Sequence, residues 1–148
     1  MNTIKVFIEN EAGSNQKNIF NEKTQEFIKT VTVSRSYPYP YGFILGTMSG
    51  DGDNLDCFII TKRLLKSGQI VEVEPIGLME QVDNGEEDNN VLATFPGDSI
   101  TITHDIEQVL TKFVNHVFDH LPEKVVSVGR FLDRIAAEAA IEQSIDSE

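Results

Sequence analysis

The sequence predicts an α+β fold in which a small barrel of short strands is followed by helices. Short alternating or β-branched segments, separated by Gly, Pro and Asn, fill the first two thirds of the chain, and helical spacing appears only in the last third. A closed or partly open barrel is the economical way for many short strands to hide their edges. The 148 residues, 40% of them apolar, are expected to form one domain, residues 1–148.

The predicted strands begin near the N-terminus. Ile4 to Ile8 is the first, and Glu9 follows at its end. Ile19-Phe20 and Phe27-Ile28 are predicted to form a hairpin, and the segment from Thr30 to Ser34, which Lys29 precedes, is rich in β-branched residues.

A loop and further strands follow. Tyr37 to Gly42 contains two prolines, so we expect a rigid loop that presents tyrosines. Leu55 to Ile60 and Ile70 to Glu74 are predicted strands, and Pro75 is expected to stop the second. From Glu80 to Asn90 the chain is acidic and amide-rich, which predicts a solvated loop. Three other apolar segments are predicted strands: Phe43 to Leu45, Ile76 to Met79 and Val91 to Phe95.

Two helices are predicted near the C-terminus. Asp105 is placed to cap a helix with apolar residues at three-and-four spacing, and Gln108 is placed for a capping-box contact. Pro122 is expected to end this helix. A second helix is predicted to begin near Gly129-Arg130.

The charge balance excludes several classes of function. Twelve basic against 24 acidic residues give a net charge of −12, without a basic run, so neither nucleic acid nor an anionic membrane is an expected partner. A single cysteine, Cys57, excludes an intrachain disulfide and a cysteine-based zinc site. No signal pattern or membrane-length apolar run is present, so we expect a cytoplasmic protein.

Acidic residues beside the predicted strands are the strongest chemical signal. Any one of them is more simply explained as a solvated turn residue, but together they would repel one another without a countercharge. If the loops meet, they form an oxygen site for several hard cations, with Mg²⁺ favoured and Mn²⁺ as the alternative. These residues are Glu9, Asp51, Asp53, Asp56, Asp83 and Asp88.

Familiar motifs do not account for this cluster. An EF-hand starting at Asp51 would need a glutamate at its twelfth position, where Lys62 stands. A zinc HExxH motif would need a glutamate after His116, where Val117 stands. The sequence also lacks a P-loop, a dinucleotide glycine fingerprint and a nucleophile elbow.

Several motifs together resemble the soluble family I inorganic pyrophosphatases. They are Tyr37-Pro-x-x-Tyr41-Gly42-Phe43-Ile44, Asp51-Gly-Asp53-Asn-Leu-Asp56, Pro75-Ile-Gly77, and Asp83 through Gly85-Glu86-Glu87-Asp88. Their order and spacing are close to those of the family, and the resemblance covers nearly the whole chain. It implies a five-stranded OB-like barrel with flanking helices, a homo-oligomer, and hydrolysis of a small diphosphate substrate with several magnesium ions.

The resemblance also implies roles for individual residues. Asp53 would be the general base that takes a proton from the attacking water. Lys17, Lys29 and Tyr41 would hold the phosphates. The metal ligands would be Asp51, Asp56, Asp83, Asp88 and Glu9.

The chain departs from the family where the phosphates are held. Lys29 replaces an arginine, Ile19 a glutamate and Asn90 a lysine, and Leu121-Pro122 replaces a tyrosine and lysine pair. Three readings therefore remain open. They are a magnesium-dependent pyrophosphatase, a phosphohydrolase acting on another diphosphate (nucleotide or organic), and a metal-binding protein on this scaffold with little turnover.

Overall fold

The computed structural model describes residues 3–48 and 53–145, which form nine strands and two helices. The α+β prediction is confirmed, with the helices after most of the strands. In chain order the elements are β1 (Ile4–Asn10), β2 (Gln16–Phe20), β3 (Phe27–Thr32), β4 (Tyr41–Ile44), β5 (Asp56–Ile59), β6 (Ile70–Asp83), β7 (Glu86–Glu87), β8 (Asn90–Thr94), α1 (His104–His116), β9 (Val126–Leu132) and α2 (Arg134–Gln143).

Five strands close into a ring in the order β1, β4, β5, β8, β6 and back to β1. All pairs are antiparallel except β5 with β8, which run parallel. Closure leaves no open edge within the ring, which is the reason that the sequence favoured a barrel. Strands β2 and β3 form a separate hairpin, as predicted.

Strand β6 is longer than predicted. Pro75 was expected to stop it, but β6 continues to Asp83. A register shift in the pairing with β8 falls between Pro75 and Gly77, so the missing N–H of proline lies at a bulge. The expected solvated loop from Glu80 to Asn90 is also wrong, because β6 and β7 form a hairpin there.

The helices begin elsewhere than predicted. Thr103, not Asp105, caps α1, because its extended backbone lets its hydroxyl accept from the N–H of Ile106 at 3.3 Å. α1 ends at His116, before Pro122. The region around Gly129 is strand β9, and Asp133 caps α2 by accepting from the N–H of Ala136 at 3.1 Å.

The two faces of β5 pack into different parts of the core. Cys57 and Ile59 lie in a cluster that α2 covers through Ala137 and Ile141. Phe58 lies in the other cluster, which α1 covers. Because side chains alternate along a strand, Asp56 is on the same face as Phe58 and is directed toward α1. No helix in the described ranges is long and apolar enough to cross a membrane.

Candidate active site

A cavity of about 310 Å³ opens between the β2–β3 hairpin, the ends of the ring strands and α1. It collects most of the residues that the sequence singled out, although they are up to 79 positions apart in the chain. Seven predicted site residues line it: Glu9, Lys17, Tyr41, Asp53, Asp56, Asp83 and Asp88.

Two predicted residues are not in this set. Asp51 lies outside the described residues. Lys29 is exposed on β3 and does not line the cavity. Lys29 pairs with Ile19 across the hairpin, and Ile19 does line the cavity. Since opposite residues of an antiparallel pair project from the same face, Lys29 lies on the cavity side of the hairpin, at its rim.

Strand β1 carries Glu9, which is 8% exposed. Burial raises the pKa of Glu9 to about 8, the charge of Glu22 adds to this effect, and Lys17 opposes it. Asn18 ties the hairpin to β1: its side-chain amide donates to the carbonyl of Glu9 at 2.9 Å, and its N–H donates to Asn10 Oδ1 at 2.6 Å. These contacts hold the neighbouring Lys17 at the cavity.

Asp56 comes from the start of β5, directly beside Asn90 of the parallel strand β8. Burial raises the pKa of Asp56 well above its usual range, and the charge of Asp88 adds to the effect, whereas a hydrogen bond from Tyr41 opposes it. Asp53 is exposed at the cavity mouth, three residues before Asp56. Next to it, the N–H of Asn54 donates to Glu22 Oε1 at 2.9 Å, so the hairpin turn holds this segment.

Two tyrosines of the predicted loop, Tyr37 and Tyr41, pack against other aromatic rings, whereas Tyr39 is partly exposed. Tyr37 is only 4% exposed and packs against Phe113 of α1, with ring centroids 4.7 Å apart. Tyr41 packs against Phe58 at 4.8 Å. The aromatic residues therefore form the cavity floor and connect it to α1. Other apolar residues of the wall are Val114, Val117, Phe118 and Val126.

Asp83 and Asp88 belong to the β6–β7 hairpin. Asn84 and Gly85 both have positive φ, 50° and 86°, which matches the two-residue turn favoured by the pair Asn-Gly. This dipeptide was the available sequence signal for the hairpin. The turn brings both carboxylates to the cavity.

Lys124 is a cavity residue that the sequence did not reveal. Its Nζ lies 3.0 Å from Asp83 Oδ2 and 4.6 Å from the ring centroid of Phe118. The Nζ of Lys17 lies 5.0 Å from the same centroid. Burial lowers the pKa of Lys17, and the charge of Lys124 adds to this effect. Two ammonium groups therefore converge on one ring at the cavity wall.

The positions that depart from the resembled family divide into two groups. Ile19 and Asn90 line the cavity, and Asn90 is 1% exposed. Leu121 is 45% exposed, and neither it nor Pro122 lines the cavity.

The charges of the cavity fit bound divalent cations. Its described lining residues include six carboxylates (the five already named and Glu22) and two lysines, a formal balance of −4. Within residues 3–48 and 53–145, no three acidic, histidine or cysteine side chains come together as a ready-made metal site. Mutual repulsion keeps ionised carboxylates apart, and hard cations with oxygen ligands are the natural countercharge.

Comparisons with known proteins agree on one family. Residues 6–148 match the family model described as inorganic pyrophosphatase. The chain is 36% identical over 129 residues to the inorganic pyrophosphatase of Sulfolobus acidocaldarius, covering 81% of this chain and 74% of that protein. It is 33% identical over 156 aligned positions to that of Saccharolobus solfataricus, covering 97% and 90%. The crystal structure of the Neisseria gonorrhoeae inorganic pyrophosphatase superposes with a TM-score of 0.89 at 28% identity, covering 97% of this chain and 90% of that one.

Proposed function

The chain belongs to the inorganic pyrophosphatase family, and we propose that it hydrolyses inorganic pyrophosphate to two phosphate ions with magnesium bound among its cavity carboxylates. The observation that carries the proposal is the cavity itself, where six carboxylates and two lysines face one another. Such a site suits an anionic substrate that arrives with divalent cations.

The proposed metal ligands are Glu9, Asp51, Asp56, Asp83 and Asp88. Carboxylates from β1, β5 and the β6–β7 hairpin approach the cavity from three directions, so several ions can share it. Bound magnesium supplies Lewis acidity and offsets the charge of the diphosphate, and Mn²⁺ is the expected substitute.

Asp53 is the proposed general base. It is exposed at the cavity mouth, unlike Asp56 three residues later, so its carboxylate is open to a water molecule in the cavity. An ionised carboxylate at this position can accept a proton from an attacking water. The link between Asn54 and Glu22 restrains the backbone that carries it.

Lysines and a tyrosine are proposed to hold the phosphates. Lys17 and Lys124 both present their ammonium groups to the ring of Phe118, and Lys29 would act from the outer part of the hairpin. Burial keeps the pKa of Tyr41 well above its usual range, so its hydroxyl remains a hydrogen-bond donor. The apolar wall from α1 limits access of water, which strengthens these charged contacts.

A phosphate-release assay with excess magnesium tests the proposal, and Asp53→Asn tests the general base. Asp53→Asn keeps the side-chain shape but cannot accept the proton, so we expect kcat to fall by about 100-fold or more. Asp98→Asn, which alters an aspartate that pairs with Arg63 outside the cavity, is the matched control. An unchanged rate in Asp53→Asn would remove Asp53 from the mechanism.

A second candidate substrate is an organic or nucleoside diphosphate. Ile19 favours it, because this apolar side chain lines the cavity beside Lys17 on the hairpin. A panel of diphosphates compared by kcat/KM decides between the two. A preference for pyrophosphate across the panel would exclude the organic substrate.

Three expectations about the setting of the protein stay predictions: one domain, a homo-oligomer, and a cytoplasmic location.

A further inference from the structure

Two amide side chains form a connected hydrogen-bond network beside Asp88. Asn90 Nδ2 donates to Gln81 Oε1 at 2.9 Å, and Gln81 Nε2 donates to Asp88 Oδ2 at 3.4 Å. Asn90 Nδ2 also donates to the backbone carbonyl of Asp88 at 3.3 Å. All three residues line the cavity. The network thus leads from a buried amide to a carboxylate of the proposed metal site.

The direction of the network follows from its acceptors. The carbonyl of Asp88 can only accept, and so can its carboxylate when ionised, so the amide nitrogens of Asn90 and Gln81 must face them. Once Asn90 is oriented in this way, only the oxygen of Gln81 can face Asn90. The nitrogen of Gln81 is therefore directed at Asp88, and each amide fixes the orientation of the next.

The backbone places Gln81 at this point. The register of β6 against β9 shifts between Met79 and Gln81, and such bulges redirect side chains near active sites. The N–H of Gln81 donates to Asn89 Oδ1 at 3.1 Å, and its carbonyl accepts from the N–H of Asp88 at 2.8 Å. These two contacts do not use the side chain of Gln81, so they survive its replacement.

Asn90 has a further feature that a purely structural amide would not need. Its side chain is fully enclosed, yet its Oδ1 has no hydrogen-bond partner within the part of the chain that the structure describes. A buried acceptor without a donor is destabilising, so such atoms usually bind a water or an ion. Asn90 also lies directly beside Asp56 in the parallel register of β5 and β8.

We propose that Gln81 and Asn90 form an amide pair that positions the Asp88 carboxylate for a divalent cation, an inference that rests on the function proposed above. Gln81 acts on the carboxylate directly, and Asn90 acts through Gln81. Both are positioning residues, because neither is required to touch the substrate.

The test measures Mg²⁺ binding by calorimetry without substrate, and then activity against Mg²⁺ concentration. Gln81→Met keeps the length of the side chain and removes both of its hydrogen bonds. We expect its Mg²⁺ affinity to fall about 10-fold, the usual effect of losing a group that orients a metal ligand. Half-maximal activity should need correspondingly more Mg²⁺, whereas kcat at saturating Mg²⁺ should stay within about threefold.

A double-mutant cycle separates positioning from general stability. Because Asn90 acts through Gln81, Asn90→Leu should weaken Mg²⁺ binding less than Gln81→Met, and the double variant should match Gln81→Met alone. Gln81→Leu, which also lacks a donor and adds no charge, is a second variant if Gln81→Met folds poorly, and it should weaken Mg²⁺ binding by a similar factor. Gln108→Met on the exposed surface of α1 is the matched control and should bind as wild type does.

The outcomes distinguish this inference from the proposed function. If the wild type neither binds Mg²⁺ nor hydrolyses pyrophosphate, the proposed function fails and the inference fails with it. If the wild type does both, and Gln81→Met binds Mg²⁺ within twofold of it, only the inference is overturned. Additive effects of the two substitutions would overturn the relay through Gln81.

Discussion

Replacing Lys124 with methionine is expected to affect substrate binding and Mg²⁺ binding in different ways, because Lys124 is proposed to contact the phosphates and also contacts Asp83. Lys124→Met keeps most of the aliphatic length and removes the ammonium group, which lies 3.0 Å from Asp83 and 4.6 Å from the Phe118 ring centroid. About a quarter of each side chain of the ion pair is exposed, 27% for Lys124 and 26% for Asp83.

The magnitude follows from the two roles of this group. A charge-assisted hydrogen bond to a phosphate oxygen contributes about 1.5–3 kcal/mol, and each 1.36 kcal/mol corresponds to a factor of ten in rate. We therefore expect kcat/KM for pyrophosphate to fall by about 10- to 150-fold. The partly exposed ion pair contributes less than about 1 kcal/mol to the free energy of unfolding, so the variant should fold.

Loss of the phosphate contact should slow hydrolysis, whereas loss of the contact with Asp83 should strengthen Mg²⁺ binding. Asp83 loses its cationic partner in Lys124→Met, so a ligand role for Asp83 predicts tighter Mg²⁺ binding together with slower hydrolysis. Steady-state phosphate release at several Mg²⁺ concentrations measures both quantities. Lys124→Arg keeps the charge and should retain more activity than Lys124→Met.

Lys112→Met is the matched control, because Lys112 is an exposed residue of α1 that does not line the cavity. It should leave kcat/KM unchanged. If Lys124→Met also keeps kcat/KM within threefold of wild type, Lys124 does not bind phosphate. Weaker Mg²⁺ binding in Lys124→Met would argue against Asp83 as a ligand.

Three further predictions concern stability. Asp56→Asn should abolish activity yet raise the free energy of unfolding in chelator by about 1 kcal/mol or more, because it removes a carboxyl group that ionises freely only in the unfolded chain. Urea unfolding with and without Mg²⁺ at neutral pH checks this, and a less stable variant would contradict it. Gly85→Ala should lower the free energy of unfolding by about 1–2 kcal/mol, because φ is 86° at this position. Thermal unfolding measures this loss, and an unchanged melting temperature would show that the turn does not need glycine. Thr103→Ala should lower the free energy of unfolding by about 1 kcal/mol, and Asp105→Ala should lower it by less. Equal losses would mean that the hydrogen bond of Thr103 does not contribute more to helix stability than Asp105 does.

Much of the site follows from sequence because its carboxylates lie at the ends of strands. The hairpin predicted from Ile19-Phe20 and Phe27-Ile28 extends back in the structure to include Lys17, and the strand predicted from Leu55 to Ile60 places Asp56 on the face shared with Phe58. The strand positions were readable from period-two spacing and turn residues. The roles assigned to these side chains came from the family resemblance and stay predictions.

The tertiary contacts made by the last third of the chain could not be predicted from such local sequence patterns. Lys124 and Asp83 are 41 positions apart, and no local pattern links them. Their approach depends on the tip of the β6–β7 hairpin, where Asn84 exchanges two hydrogen bonds of 2.7 Å with the backbone of Val125. The Asn-Gly turn predicts such a tip, but not the segment on which it docks.

The neutral residues at the cavity show why charge alone is an incomplete guide to this site. Ile19 and Asn90 contribute no charge, so in the proposed function the formal −4 balance of the described lining leaves more charge for bound cations to offset than if either residue were basic. In such a site the orientation of the carboxylates matters more, because each misplaced carboxylate weakens the binding of the proposed cation. The amide pair of Gln81 and Asn90 supplies this orientation without adding charge. A lysine introduced as Asn90→Lys should compete with Mg²⁺ for the neighbouring carboxylates and so raise the Mg²⁺ concentration needed to stabilise the protein. Thermal unfolding across a Mg²⁺ titration measures this requirement, and an unchanged requirement would show that residue 90 does not contribute to the charge balance.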